Sequence, residues 1–273
     1  MDNLYKIYEE VEEELKFLTT SGVRIKMLAS LLEKPKTSTQ LKDEIGVGAS
    51  TVIHAARDLE QEGLLIEKTD GYHLTTIGKI MTLKLLEIIK TIYAMKRSKN
   101  FWMKHSIDGI PEKSIKNIYM LCEHELLTSS IRNVFKTLSV YMEITKKAKE
   151  FYGVSPVFVE AFVNLVTKLL NRGTKVNLVI TEDVFEELKR INKKGLKKVL
   201  ENKNLSLWVI KETPPVAFTV TDAVFSLGLF DEEGVYDPTQ DIVSFDKEAL
   251  EWGRELFEYY KSRARRVTSQ DVE

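Results

Sequence analysis

A single cysteine, Cys122, in 273 residues leaves nothing to close an intrachain disulfide and cannot build a multi-cysteine zinc site. A reducing compartment fits such a chain, and a cytoplasmic location is expected. Thirteen glycines and six prolines are far fewer than a disordered chain carries, so packed domains are expected. Charge of one sign is also missing. Forty Lys plus Arg against 41 Asp plus Glu leave a net charge of -1, so any hold on a polyanion has to come from local clusters. No apolar run approaches the roughly 20 residues that span a bilayer; Glu160 and Asn164 interrupt even VFVEAFVNLV. The opening MDNLYKIYEEVEEELK is acidic and amphipathic, where an export signal is basic and then apolar. No membrane association is expected.

Catalytic signatures are scarce as well. There is no G-x-x-x-x-G-K-[ST] phosphate loop, and Gly46-x-Gly48 lacks the third glycine of a dinucleotide fingerprint. Gly153-Val154-Ser155-Pro156-Val157 stops short of the nucleophile elbow. Cys122, Glu123 and His124 are consecutive, and three consecutive helical residues point in different directions, so they do not converge on a metal. The expectation is a protein that is not an enzyme and needs no metal or cofactor.

At about 150 residues per domain the length suggests two domains. Leu4, Ile7, Tyr8, Val11, Leu15 and Leu18 recur at steps of three and four, which predicts a helix from about Asp2 to Thr19. A second helix is predicted over Val23 to Glu33, stopped by Lys34-Pro35. Ser38 is a candidate N-cap for a short helix, Thr39 to Ile45, and Gly46-Val47-Gly48 turns the chain into another that runs from Ala49 or Ser50 to Glu62 and is closed by Gly63. The period then changes: Leu64 to Lys68 and Tyr72 to Thr75 read as strands joined through Thr69-Asp70-Gly71.

Three helices followed by a hairpin make a winged helix-turn-helix. Leu41, Ile45, Val52, Ala56 and Leu59 are spaced to pack its two helices together, leaving Ser50, Thr51, His54 and Arg57 on the opposite face. Arg pairs with guanine edges, while Ser, Thr and His bond to bases or phosphates, so these four are the candidate readers of a major groove. Lys36 and Ser38 ahead of the motif, and Lys68 and His73 in the wing, are the candidate flanking contacts. Asp58, Glu60, Glu62, Glu67 and Asp70 weigh against a strongly basic surface, and a winged helix used for protein contact is the alternative. Thr76 to Arg97 forms a third long helix whose apolar stripe is wider than one core contact requires. It implies a second neighbour, and a homodimer is expected, with the N-terminal helix as the alternative interface.

Asp108-Gly109-Ile110-Pro111 breaks the chain, and a helix from Pro111 to Leu121 leads into a helical segment reaching about Lys149. Beyond it strand and helix patterns alternate: Phe151 to Val154, helix Pro156 to Asn171, Val176 to Ile180, helices within Glu182 to Asn202, and Leu205 to Ile210. Ala217 to Val220, Ala223 to Phe230 and Ile242 to Phe245 read as further strands, and Lys247 to Ser262 as a closing helix. Trp208, Trp252, Phe230 and Tyr236 are expected in the core. The fold class is therefore α+β with an α/β portion: a winged helix with a flanking dimerisation helix (1–98), a helical connector (99–148) and an α/β sensor domain (149–273). Ser155, Thr181, Lys211 and Asp222 fall at the ends of predicted strands, where open α/β sheets bind ligands, and are the candidate effector contacts. The competing reading is that they cap the helices that follow.

Several segments give a resemblance. Lys99-Asn100-Phe101-Trp102 to His105, Asp108-Gly109-Ile110-Pro111, Gly153-Val154-Ser155-Pro156, Arg172-Gly173-Thr174-Lys175-Val176, Thr219-Val220-Thr221-Asp222, Leu227-Gly228-Leu229-Phe230, Gly234-Val235-Tyr236-Asp237 and the stretch Glu251 to Tyr260 resemble the archaeal winged-helix regulators of the methanogenesis-regulator (Fil) type. That resemblance implies transcriptional control. The second half is similar in outline to effector domains that share the phospholipase D architecture without its activity. The H-x-K-x4-D motif of that enzyme class is absent, because Ala56, Thr75, Ile107 and Leu126 stand two residues after His54, His73, His105 and His124. A sequence-specific regulator binding double-stranded DNA, with a small-molecule effector, is the expected function. An enzyme with a winged-helix docking module and an adaptor without DNA contact are the alternatives.

Overall fold

The computed structural model describes residues 2–272 and divides into two compact units, one ending at Ile89 and the other beginning at Lys90. In the first unit α1 (Asp2–Thr20), α2 (Gly22–Glu33), α3 (Ser38–Ile45) and α4 (Ala49–Gln61) precede the hairpin of β1 (Leu65–Lys68) and β2 (Gly71–Leu74), and α5 (Thr76–Arg97) follows. This is the winged helix-turn-helix that the spacing predicts. Met27, Leu28, Leu41, Val52, Ala56 and Leu59 are fully buried where α2, α3 and α4 meet. The N-cap of α3 is Thr37, not Ser38: Thr37 and Gln40 form a reciprocal capping box, so Ser38 is the first residue inside the helix. Thr75 caps α5 by accepting from Gly78 N at 3.0 Å.

The hairpin differs from expectation in its turn. Lys68 pairs with Gly71, so Thr69 and Asp70 alone form the loop, and Asp70 keeps a negative φ. Only Gly71 takes positive φ, at 126°. The reason lies across the sheet: Lys36 pairs with Tyr72 as a third, one-residue strand, and a Cβ on Gly71 would stand 2.5 Å from the Lys36 carbonyl oxygen. Backbone approach that close admits only glycine.

In the second unit α6 (Lys99–Lys104), α7 (Glu112–Lys116) and a 3-10 turn (Ile118–Leu121) lead to β3 (Glu125–Thr128) and α8 (Lys136–Thr145). Then come β4 (Glu150–Ser155), α9 (Glu160–Asn171), β5 (Lys175–Thr181), α10 (Glu182–Leu200) and β6 (Leu205–Ile210). After them follow β7 (Val216–Thr221), β8 (Phe225–Leu229), β9 (Gln240–Ser244), α11 (Lys247–Ser262) and β10 (Arg265–Val267). The eight strands form one mixed sheet, ordered β10-β6-β5-β4-β7-β8-β9-β3. The pairs β4-β5 and β5-β6 are parallel through helical crossovers; the rest are antiparallel. One face packs on α11 through Trp252, Leu256, Phe257 and Tyr260, together with Phe101, Ile110 and Leu121. The other face is covered over β5 and β6 by α9 and α10.

The separate helical connector (99–148) does not exist. Phe101, Ile110 and Leu121 lie in the core of the second unit, and β3 pairs with β9 as an edge strand. The unit boundary falls inside α5, at Ile89 rather than residue 98. Proline at 156 starts no helix; α9 begins at Glu160. Trp252 and Phe230 are buried as expected, whereas Trp208 and Tyr236 are only partly so. Among the described residues no helix is long and apolar enough to cross a membrane.

Candidate nucleic-acid interface

Ser50, Thr51, His54 and Arg57 are all exposed on α4, while Val52, Ala55, Ala56 and Leu59 turn inward. The 3.6-residue period separates the two sets cleanly. No hydrogen bond or ion pair among the described residues ties the four side chains down. The N-cap, Gly48, has no side chain to offer, so the first-turn amides of α4 are open to solvent or to an anion. Several of the acids that crowd this surface in sequence are committed elsewhere. Asp58 pairs with Arg24 at 3.4 Å, and Glu60 accepts the Glu67 amide at 2.7 Å.

Lys68 is exposed in the wing, but His73 is engaged: its Nε2 lies 2.7 Å from Asp70 Oδ1, across the turn. The hydrogen bond to His73 holds the Asp70 carboxyl below its ordinary range. Ser38 is half-buried at the start of α3. Lys36, expected as a flanking contact, is turned inward instead. It is only 4% exposed, and its ammonium donates to Glu44 at 2.7 Å, Ser30 at 2.9 Å and Glu33 at 3.2 Å. Glu44, accepting that bond, raises the Lys36 pKa against the opposing effect of burial. A lysine whose three donors are already spent has none left for a phosphate.

The candidate effector residues do not form one site. Ser155 and Thr181 end parallel strands at one edge of the sheet, and exposed Lys211 follows β6 there. Thr181 caps α10, accepting from Val184 N at 3.4 Å. Ser155 Oγ donates to the Val157 carbonyl at 2.8 Å. Asp222 lies at the opposite end, because β7 runs antiparallel to β4 with Thr221 beside Phe151. It accepts the Lys149 amide at 2.8 Å and the Glu150 amide at 3.4 Å, a structural task. His124 has both ring nitrogens occupied, by Ser98 Oγ at 2.6 Å and the Leu121 carbonyl at 2.7 Å. It has no lone pair to lend a metal beside Cys122.

A polar cluster that sequence reasoning missed lies on the sheet face beneath α8. Asp241 on β9 is buried, and among the described residues its carboxyl has one hydrogen-bond partner, Ser226 on β8, at 3.4 Å. Tyr141 from α8 meets Thr219 of β7 at 2.8 Å. A Cβ on Gly228 would fall 2.7 Å from Tyr236 Oη and 2.8 Å from Asp241 Oδ1, so the absent side chain makes room for both groups. Asp237 in the preceding loop stands 3.2 Å from His105 Nε2. Burial pulls Asp237 upward, but hydrogen bonds from Thr239 and the contact with His105 outweigh it and hold its carboxyl low. Among the described residues no cation pairs with Asp241, and burial pushes its carboxyl up to about 7. A glycine inside a strand was the available signal.

Residues 12–93 match the family described as "Methanogenesis regulatory protein FilR1, N-terminal domain", and residues 134–263 match the middle domain of the same protein. This chain is similar to FilR1 in both of its parts. The FilR1 of Methanothrix harundinacea (strain 6Ac) is 26% identical over 267 residues, which are 96% of this chain and 60% of that protein. The chain therefore spans 60% of the length of the FilR1 it matches. Among solved structures, that of TrmBL2, described as an archaeal chromatin protein with a novel mode of DNA binding, is 16% identical. It has a TM-score of 0.43 over 89% of this chain and 92% of its own. A phosphatidylserine synthase of Haemophilus influenzae Rd KW20 is 11% identical, with a TM-score of 0.42 over 55% of this chain and 41% of its own. Overlaps that weak bear on neither fold nor function.

Two outcomes follow from this geometry. Replacing Lys36 with Ala leaves Ser30 and Glu44 without their donor, so the melting temperature of the first unit falls. The salt dependence of duplex binding, read by fluorescence anisotropy, stays as in the parent; a shallower slope would return Lys36 to the interface. For Asp241 the sign is set by a folded-state value above the unfolded one of about 3.9. The stability it contributes is complete below about pH 4, is lost as pH rises toward about 7, and stays lost above. Asp241→Asn removes a penalty of up to about 4 kcal/mol at neutral pH. Calorimetry should show it melting above the parent at pH 8, with the gap closing toward pH 4; an equal gap at both would mean that the carboxyl is not held neutral.

Proposed function

We propose that this protein is a sequence-specific transcriptional regulator that reads duplex DNA with α4. The single observation that carries the reading is the exposed row Ser50, Thr51, His54 and Arg57 on a helix whose N-terminus has no side-chain cap. Similarity to a protein named as a methanogenesis regulator supports it. Arg57 supplies a bidentate donor for a guanine edge, His54 and Thr51 bond to neighbouring bases, and Ser50 with the first-turn amides takes a phosphate. Lys68 reaches the backbone from the wing. The second unit is regulatory rather than catalytic in this reading: no histidine is followed by the lysine of a phospholipase D motif, and the likeness in outline to such domains concerns architecture alone. The Asp241 cluster, a buried carboxyl bonded to the Ser226 hydroxyl on a sheet face that also carries the Tyr141–Thr219 pair, supports a small polar effector there better than the dispersed strand-end residues do.

A homodimer belongs to the same reading. Along α5 Ile77, Ile80, Ile88 and Ile92 are between 54% and 61% exposed, and along α1 Leu4 and Tyr5 exceed 60%. Two long helices with uncovered apolar stripes lose solvation free energy until something covers them, and a second copy presents the same stripes in twofold relation. Sedimentation of the parent should give a dimer mass, and Ile88→Glu should give a monomer; a concentration-independent monomer mass for the parent removes the dimer.

The DNA reading is tested by selecting bound genomic fragments and comparing affinities for selected and random duplex. Arg57→Ala should cost about 1–3 kcal/mol on the selected sequence and much less on random DNA. Equal losses on both would put α4 outside the groove, and no duplex binding at low salt would favour an adaptor.

A further inference from the structure

The densest run of unpaired positive charge lies outside the winged helix, in the second half of α10. Residues 191–204, INKKGLKKVLENKN, hold five lysines and one carboxylate, Glu201. Lys193, Lys194, Lys197, Lys198 and Lys203 are all exposed. Leu196, Val199 and Leu200 face the other way, against the core. Upstream on the same helix, Lys189 and Arg190 are paired with Glu186 and Glu187. Among the described residues none of the five lysines has such a partner.

Local structure gives these charges no reason to be there. The helix kinks at Asn192, whose φ of -154° and ψ of 76° leave the helical region, and Asn192 Oδ1 accepts the Gly195 amide at 2.8 Å. Asn192 therefore caps a fresh helical segment, and Lys193 and Lys194 sit in its first turn. That end of a helix carries positive potential and disfavours cations. Lys193 with Lys197, and Lys194 with Lys198, are also like-charge pairs four residues apart, which destabilise a helix further. Only Lys197 and Lys198, near the C-terminus, gain from the helix dipole.

We propose that this face of α10 is a second contact for duplex DNA, gripping the phosphate backbone without reading sequence. The inference rests on the DNA-binding reading above and deepens it. Charge complementarity selects the occupant: four ammonium groups in two rows, about 6 Å apart along the helix axis, meet a strand with a phosphate about every 3.4 Å. The reading surface creates the need, since Arg57 is the one permanent cation among its four exposed side chains and Lys36 is internally neutralised.

The test uses the full chain with Lys193, Lys194, Lys197 and Lys198 all changed to Gln, beside a version with all four changed to Arg. Anisotropy on random duplex is measured across a potassium chloride series. In the Gln variant the slope of log affinity against log salt should flatten by about 0.9 for each lysine engaged. Its affinity at low salt should fall at least tenfold, and its preference for selected over random DNA should persist. The Arg variant should match the parent in slope and affinity. Unchanged melting temperatures keep loss of fold from imitating the result. A parent that binds duplex while the Gln variant keeps its slope overturns this inference alone; a parent that binds no duplex at any salt overturns the DNA reading with it. Lysine-dependent binding to phosphatidylglycerol vesicles with an unaltered duplex slope would assign the face to lipid and overturn the proposal.

Discussion

Tyr72 donates its amide to the Lys36 carbonyl at 2.9 Å, and the Lys36 amide returns a bond to Tyr72 at 3.3 Å. That pair of backbone bonds holds the wing against the segment entering α3, and much of the first unit depends on it. It requires glycine at 71, since any side chain would strike the Lys36 carbonyl. It also draws the Lys36 side chain inward, where a buried ammonium is tolerable only if its donors are met. Ser30 from α2 and Glu44 from α3 meet them, so one strand pairing fixes wing, α2 and α3 together. Satisfying that charge removes a cation from the surface proposed to meet nucleic acid.

What the sequence reveals and what it hides divide along the range of the interactions involved. The first four helices, the hairpin and the exposed face of α4 follow from period and cap residues within a few positions, and the structure matches them to within a residue or two. Thr37 displaces Ser38 as cap because the reciprocal bond with Gln40 favours the register one residue earlier. Lys36 could not be read locally, since its partners lie on two other elements. The same holds for β3 and β10, three or four residues each, which are strands only by pairing with β9 and β6. A connector that looked helical is tied to the second unit by Phe101, Ile110 and Leu121, whose burial no local period announces.

Strand direction decides the fate of the effector candidates. Polar residues at strand ends gather at one edge only when the strands are parallel, and here β4, β5 and β6 are while β7 is not. Asp222 is carried to the far edge and put to work holding the start of β4. Polar groups converge instead on the sheet face under α8, where Thr219, Ser226 and Asp241 replace the large apolar residues found on the same face of β5 and β6. A sheet packed only for stability fills such positions with carbon, because an uncompensated carboxyl costs several kcal/mol, on the order of 4 for a shift of this size.

The near-zero net charge therefore says little about binding, because the two signs are segregated along the chain. Exposed Glu9, Glu10, Glu13 and Glu14 concentrate on α1, and Lys193, Lys194, Lys197 and Lys198 on α10. Screening in physiological salt limits interactions between exposed charges to about 8 Å. A partner approaching α10 consequently feels the lysines beside it and not charges that lie beyond a screening length, whatever the sum over the chain. Local density, not the sum, sets the affinity for a polyanion. A protein can thus read sequence with a nearly neutral helix face and draw the electrostatic part of its affinity from a surface that carries no sequence information at all.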